Sequence, residues 1–284
     1  MPSFPIIDPH VHLWDPNLLD YPWLSEVPAI SGPHTITDFQ NATGTEEVEK
    51  MVFLQADCAQ EQSLAELDWV SRTALDAPII AGIVPFAPLE RGEVVRVYLD
   101  EIKQYPLVKG VRRLIQHEDL EFCLRPGFVR GVQLLAEYDL SFDLCIFPAH
   151  LPSTIELVRQ CPNVRFVLDH TGKPDIKNGQ LDPWRKQIRT LAELPNVWCK
   201  VSGLVTEADH ENWTRENLKP YIDHVVNCFG FDRLMFGGDW PVSTLAASYQ
   251  QWVEALDWAL QGSPEEELRK LYRENAVRFY RLEG

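Results

Sequence analysis

No stretch of this 284-residue chain stays apolar for the length a bilayer requires, so a membrane-spanning helix is not expected. The opening Met1-Pro2-Ser3-Phe4-Pro5 lacks the basic and apolar segments of a secretory signal, which points to a cytoplasmic setting. Basic residues are in short supply. Against 42 Asp and Glu there are 26 Lys and Arg, and the formal charge of -16 repels phosphate backbones and anionic lipids. Neither nucleic acid nor a membrane is therefore an expected partner. The six cysteines (Cys58, Cys123, Cys145, Cys161, Cys199 and Cys228) form no C-x-x-C pair, which excludes zinc-finger and dithiol motifs. Cys145 and Cys199 stand in apolar runs and read as reduced core thiols. No G-x-G-x-x-G follows a β-type run, so no nucleotide cofactor is expected. With no linker, low-complexity tract or repeat, residues 1–284 read as one domain whose composition is compatible with a homo-oligomer.

What is present is an alternation. Short β-branched apolar runs recur at 6–13, 51–57, 79–86, 108–115, 141–147, 164–170, 197–203 and 234–240. Longer amphipathic runs lie between them, at 63–75, 93–105, 128–138, 152–160 and 218–229. Near-continuous apolar strands signal a parallel sheet buried on both faces. Eight βα units in a chain of this length predict a (β/α)8 barrel, a TIM barrel. The long irregular segment 11–43, rich in Trp and Pro, is expected to cover the barrel mouth. Ser263 and Pro264 read as N-cap and first residue of a terminal helix running toward Tyr280.

In such a barrel reactive groups gather at the carboxyl ends of the strands. Those ends carry His10 and His12, Gln55 and Asp57, Phe86, Arg112 and Arg113, Asp143 and then His150, Asp169 and His170, Lys200 and Ser202, and Asp239 and Trp240. An H-x-H alone also marks an ordinary loop start. Closure of the ring, however, would bring His10 and His12 beside Asp239, which follows two glycines on the eighth strand.

Five pieces carry a resemblance in series: Asp8-Pro9-His10-Val11-His12-Leu13-Trp14, Lys109-Gly110-Val111-Arg112, Asp169-His170-Thr171-Gly172-Lys173-Pro174, Lys200-Val201-Ser202-Gly203-Leu204 and Phe236-Gly237-Gly238-Asp239-Trp240-Pro241. The chain resembles the amidohydrolase superfamily, in the amidohydrolase-2 branch that includes sugar lactonases and 2-pyrone-4,6-dicarboxylate lactonase. The resemblance implies that His10, His12 and His170 surround a substrate carbonyl and that Asp239 activates water. Ester hydrolysis needs a base and an oxyanion-stabilising group, and this set supplies both. The same four side chains suit one Zn²⁺, which the resemblance implies is dispensable. Two-metal relatives place a carboxylated lysine on the fourth strand, where this chain has Arg112 and Arg113; a binuclear centre is not expected.

Substrate contacts are expected from Arg112, Lys200, Asp143, Gln55, Trp14, Phe86, Trp240 and His150. His150 also reads as part of a strand-to-helix loop or a further metal ligand. Lys200 needs a substrate or carboxylate partner if it faces the barrel interior, and Asp143 either accepts sugar hydroxyls or pairs with a cation. Arg113 points to the other face of its strand. One well-placed arginine is too few for a dicarboxylate, so a neutral aldonolactone (L-fucono, L-rhamnono or D-galactono type) is the expected small-molecule substrate. The competing readings are a dicarboxylate lactonase, a metal-dependent decarboxylase and a non-catalytic sugar-binding barrel.

Overall fold

The computed structural model describes residues 2–282. Its strands are β1 (Ile6–Val11), β2 (Val48–Leu54), β3 (Ile80–Val84), β4 (Gly110–Arg112), β5 (Ser141–Leu144), β6 (Phe166–Leu168), β7 (Val197–Val201) and β8 (Leu234–Phe236). They pair in parallel as β1-β2-β3 and β4-β5-β6-β7-β8. Parallel bridges Ile83–Val108 and Phe86–Arg112 join the two sets on one side, and Val11–Trp240 joins β1 to β8 on the other. The ring is closed, as a TIM barrel requires. At the last seam Asp239 N–H donates to His10 O and His12 N–H to Trp240 O, both at 2.8 Å. Asp8 reinforces it, accepting from Gly238 N–H at 2.9 Å and from Tyr249 Oη–H at 3.0 Å. A Cβ on Gly238 would lie 2.4 Å from Asp8 Oδ2, so only glycine lets this carboxylate reach across.

Around the ring lie α1 (Ile36–Ala42), α2 (Ser63–Asp76), α3 (Arg96–Ile102), α4 (Pro126–Leu134), α5 (Leu151–Gln160), α6 (Trp184–Ala192), α7 (Arg215–Phe229), α8 (Tyr249–Ala259), α9 (Glu265–Arg269) and α10 (Asn275–Tyr280). In α6 the residues Trp184, Ile188, Leu191 and Ala192 recur at helical spacing and form its buried face. A reciprocal cap between Ser248 and Gln251 opens α8. Among the described residues no helix is long and apolar enough to cross a membrane.

Three expectations change. The strands are shorter than the apolar runs, because their carboxyl ends leave the sheet as loops that carry polar groups. The 11–43 segment is not wholly irregular: it contains α1, capped reciprocally by Thr35 and Asp38, and two 3-10 turns. The terminal helix is capped at Pro264 rather than Ser263, and a π-helical turn at Lys270–Glu274 separates α9 from α10.

Odd and even positions divide the interior from the shell. Ile7, Val52, Leu54, Val84, Val167 and Met235 face inward and meet Phe279, Tyr280 and Leu282 from the C-terminal segment. That segment stoppers the barrel from below. Outward residues such as Phe53, Phe142, Phe166 and Phe236 pack against the helices in the main core.

Candidate active site

Above the apolar stopper lies a layer of charge. Lys200 of β7 is fully buried, with Nζ 2.6 Å from Asp143 Oδ2, 3.1 Å from Asp169 Oδ1 and 3.3 Å from His10 Nδ1. Tyr280 Oη–H donates to Asp143 Oδ2 at 2.5 Å from below. Arg112 donates to Asp169 Oδ2 at 3.4 Å and to Gln55 O at 2.5 Å. Burial pushes the Asp143 carboxyl up to about 6, against the pull of Lys200. Burial acts the same way on Asp169, but Lys200 and Arg112 outweigh it and hold Asp169 below its ordinary value. Two cations and two carboxylates thus compensate one another where either alone would be costly.

One step higher are the imidazoles and Asp239. Asp239 Oδ1 lies 3.6 Å from Nε2 of His10, 3.6 Å from that of His12 and 3.8 Å from that of His170. The partners on the far sides of the rings decide their roles. His12 Nδ1 is 2.8 Å from Leu54 O, which only accepts, so the neutral ring carries its proton there and presents an Nε2 lone pair. The 3.2 Å contact between the Nε2 atoms of His10 and His12 then takes the proton of His10. His10 Nδ1 in turn accepts from Lys200. His170 Nε2 faces the Asp239 carboxylate, which only accepts, so the neutral ring carries its proton there and its Nδ1 accepts from Ser202 Oγ–H at 3.0 Å.

Burial drives the His10 and His170 pKa values well below the ordinary histidine value, His10 further so by Lys200. Both rings are neutral at physiological pH. Burial raises the Asp239 carboxyl, but the neighbouring His170, His12 and Lys173 more than offset it and hold it below its ordinary value, so Asp239 stays ionised.

The backbone is specialised here too. Of the seven non-glycine residues with positive φ among the described residues, Asp57, His170, Thr171, Lys173 and Asp239 lie at strand carboxyl ends. Such conformations cost energy and persist where surrounding structure imposes them. Gly203, at φ 62°, has no room for a side chain: a Cβ would come within 2.5 Å of His170 Nδ1 and 3.0 Å of Asp239 Oδ2.

A cavity of about 250 Å³ opens over this cage, below the roughly 300–1,000 Å³ of drug-sized sites. Its walls include His12, His170, Asp239, Arg112 and Trp14. The loop after β1 forms one side. Its neck is the antiparallel Trp14–His34 bridge, and Trp23 Nε1–H donates to Ala56 O at 2.8 Å.

Several expected contacts are displaced. Lys200 and Asp143 are sealed beneath the cavity and spend their charges on each other. His10 is likewise fully buried, one layer below the walls. Gln55 turns its Oε1 to the Asp57 N–H at 2.6 Å, and only its backbone carbonyl meets Arg112. Phe86 packs edge-on against Tyr98, and Trp240 is enclosed by His34 and Phe39. His150 is tied to Glu118 O at 3.1 Å in the loop before α5 and is not a cavity wall. Arg113 points away, pairing with Glu90 at 3.3 Å and Glu118 at 2.5 Å. Cys145, read as a core thiol, is buried but borders the cavity, donating to Gln116 Oε1 at 3.3 Å.

The sequence reading did not assign Asp57, Gln116, His117, Lys173, Thr206 or Glu207 to the site, yet all line it. They sit on loops, where neither period two nor period 3.6 applies; their proximity to strand ends was the one available signal.

A family model described as Amidohydrolase matches residues 7–282. The L-fucono-1,5-lactonase of Burkholderia ambifaria is 31% identical over 288 residues, covering 98% of this chain and 96% of that protein. The L-rhamnono-gamma-lactonase of Scheffersomyces stipitis is 24% identical over 338 residues, covering 99% and 100%. A crystal structure of an amidohydrolase from Burkholderia multivorans with bound zinc aligns with a TM-score of 0.88 at 28% identity, over 99% of this chain and 100% of that one.

Proposed function

The chain belongs to the amidohydrolase family, and from that premise we propose that it is a sugar lactonase opening a neutral aldonolactone to the aldonic acid. One observation carries this reading: an ionised Asp239 stands beside neutral imidazoles at a small cavity. The similarity to proteins named as L-fucono- and L-rhamnono-lactonases supports the substrate class. It leaves both ring sizes in view.

In the proposed reaction, a water beside His12 donates a hydrogen bond to Asp239. Asp239 takes the proton as the water oxygen attacks the lactone carbonyl. His170 Nε2–H and Arg112 donate to the developing oxyanion. This removes His12 from the carbonyl, because its only N–H is committed to Leu54 O and its Nε2 lone pair to His10; it forms the wall beside the water. Collapse breaks the ring C–O bond, and the proton held on Asp239 passes to the departing alkoxide. His10 touches no reacting atom in this scheme; it transmits the Lys200 hydrogen bond to His12.

The donor set also fits a divalent cation. His10, His170 and Asp239 offer ligand atoms within 4.8 Å of one another, and His12 Nε2 is adjacent. His12 is anchored through its other nitrogen to a carbonyl, as metal-binding histidines are. These four residues would hold the ion, which would supply Lewis-acid polarisation of the carbonyl.

A panel assay tests the function. Acid release is expected from neutral aldonolactones and not from 2-pyrone-4,6-dicarboxylate. Turnover confined to the dicarboxylate, or carbon dioxide release from aromatic acids, would overturn the reading.

A further inference from the structure

Two carboxylates on the cavity walls have no part in the hydrolytic step. Glu207 follows β7 and Asp57 follows β2; between those strands the ring places β8 and β1, which carry Asp239 and His12. The two acids therefore flank the reacting position. Glu207 meets Lys173 Nζ only at 4.0 Å, beyond hydrogen-bond reach, and keeps its oxygens available. It also lines the open groove beside the cavity, so it stands where the distal end of a bound ring would emerge. Asp57 is held at φ 57°, with its N–H donating to Gln55 Oε1, and it lines the cavity.

The cations are differently placed. Arg112 is engaged by Asp169 and Gln55 O from below, and Lys173 has Glu207 beside it. A lactone bearing a carboxylate would find the two acids in its path. Sugar hydroxyls, by contrast, would donate charge-assisted hydrogen bonds to each acid.

We propose that Glu207 and Asp57 are the specificity-determining residues of this site, accepting hydrogen bonds from hydroxyls of a neutral polyhydroxylated lactone and rejecting carboxylated ones. The inference rests on the lactonase reading and deepens it. It requires that selectivity reside in loops on either side of the cage, not in the buried Asp143 and Lys200.

The test compares kcat/KM for an aldonolactone, a hydroxyl-free lactone of the same ring size and a lactone carrying a free carboxylate. Glu207→Ala is expected to lower the aldonolactone to hydroxyl-free ratio about tenfold or more, since a charged acceptor is lost. Asp57→Asn should lower it in the same direction. Glu207→Gln should raise the relative rate on the carboxylated lactone. Thermal melts close to wild type would exclude misfolding. A purely structural ion pair with Lys173 would depress both neutral substrates together, and an unmoved ratio in both Glu207→Ala and Asp57→Asn overturns the inference while the lactonase reading stands. A wild-type enzyme inactive on every neutral lactone would overturn that reading, and this inference with it.

Discussion

The floor and the mouth of this barrel contain similar residue types under opposite constraints. On the floor, Lys200 is held by Asp143 at 2.6 Å and Asp169 at 3.1 Å, with all three side chains fully buried. At the mouth, Lys173 and Glu207 stand 4.0 Å apart with side chains 17% and 22% exposed. The floor charges are matched by one another at hydrogen-bond distance, whereas the mouth pair is not. A charged residue at a strand end is thus a ligand contact only if the protein has left it something to bind.

Substitutions should separate the two regions. The largest effect is expected where they meet: Asp239→Asn removes the base, and kcat should fall by about 10³-fold or more in a progress-curve assay, with lactone binding retained by calorimetry. Turnover near wild type would remove Asp239 from the chemistry. Next comes the floor. Lys200→Met strands two buried carboxylates and should cost about 3–5 kcal/mol in urea unfolding. Adding Asp143→Leu should recover part of that loss, and strict additivity would contradict the coupled layer. His170→Asn should lower kcat about 10²-fold through a lost oxyanion donor, with KM changed less. Glu207→Gln, at the mouth, should shift unfolding free energy by less than about 0.5 kcal/mol while altering selectivity.

The smallest effect concerns pH. Asp239 must be ionised to act, and its pKa lies below the ordinary carboxylate value; His10 and His170 must be neutral, and theirs lie well below that of free histidine. Lowering the pH toward the histidine range therefore protonates none of the three. The kcat/KM profile should carry no acid limb at the pKa of free histidine. An acid limb near the pKa of free histidine would show that an imidazole, not Asp239, carries the essential base.

Much of this was legible in the sequence because strand positions obey a period. Inward-facing Lys200, Asp143 and Arg112 follow from alternation along β7, β5 and β4, and the cage of His10, His12, His170 and Asp239 follows from ring closure. Alternation says that a side chain points inward and nothing about depth. That is why Lys200 and Asp143 read as substrate contacts when they lie a layer too low. Trp240 and Phe86 read as substrate contacts because strand-end aromatics carry no mark of which neighbour claims them. Tyr280, which reaches Asp143 from the opposite end of the barrel, is 137 residues away along the chain and follows from no local pattern. Glu207 was missed for the converse reason, since loops have no period to read, and Asp57, though placed at a strand end, was given no role.

The most direct test is a crystal structure of Asp239→Asn holding an intact aldonolactone. The account predicts the carbonyl oxygen within hydrogen-bond distance of His170 Nε2 or Arg112, and ring hydroxyls on Glu207 or Asp57. A lactone bound with its carbonyl turned away from the cage, into the open groove beyond Glu207, would contradict it.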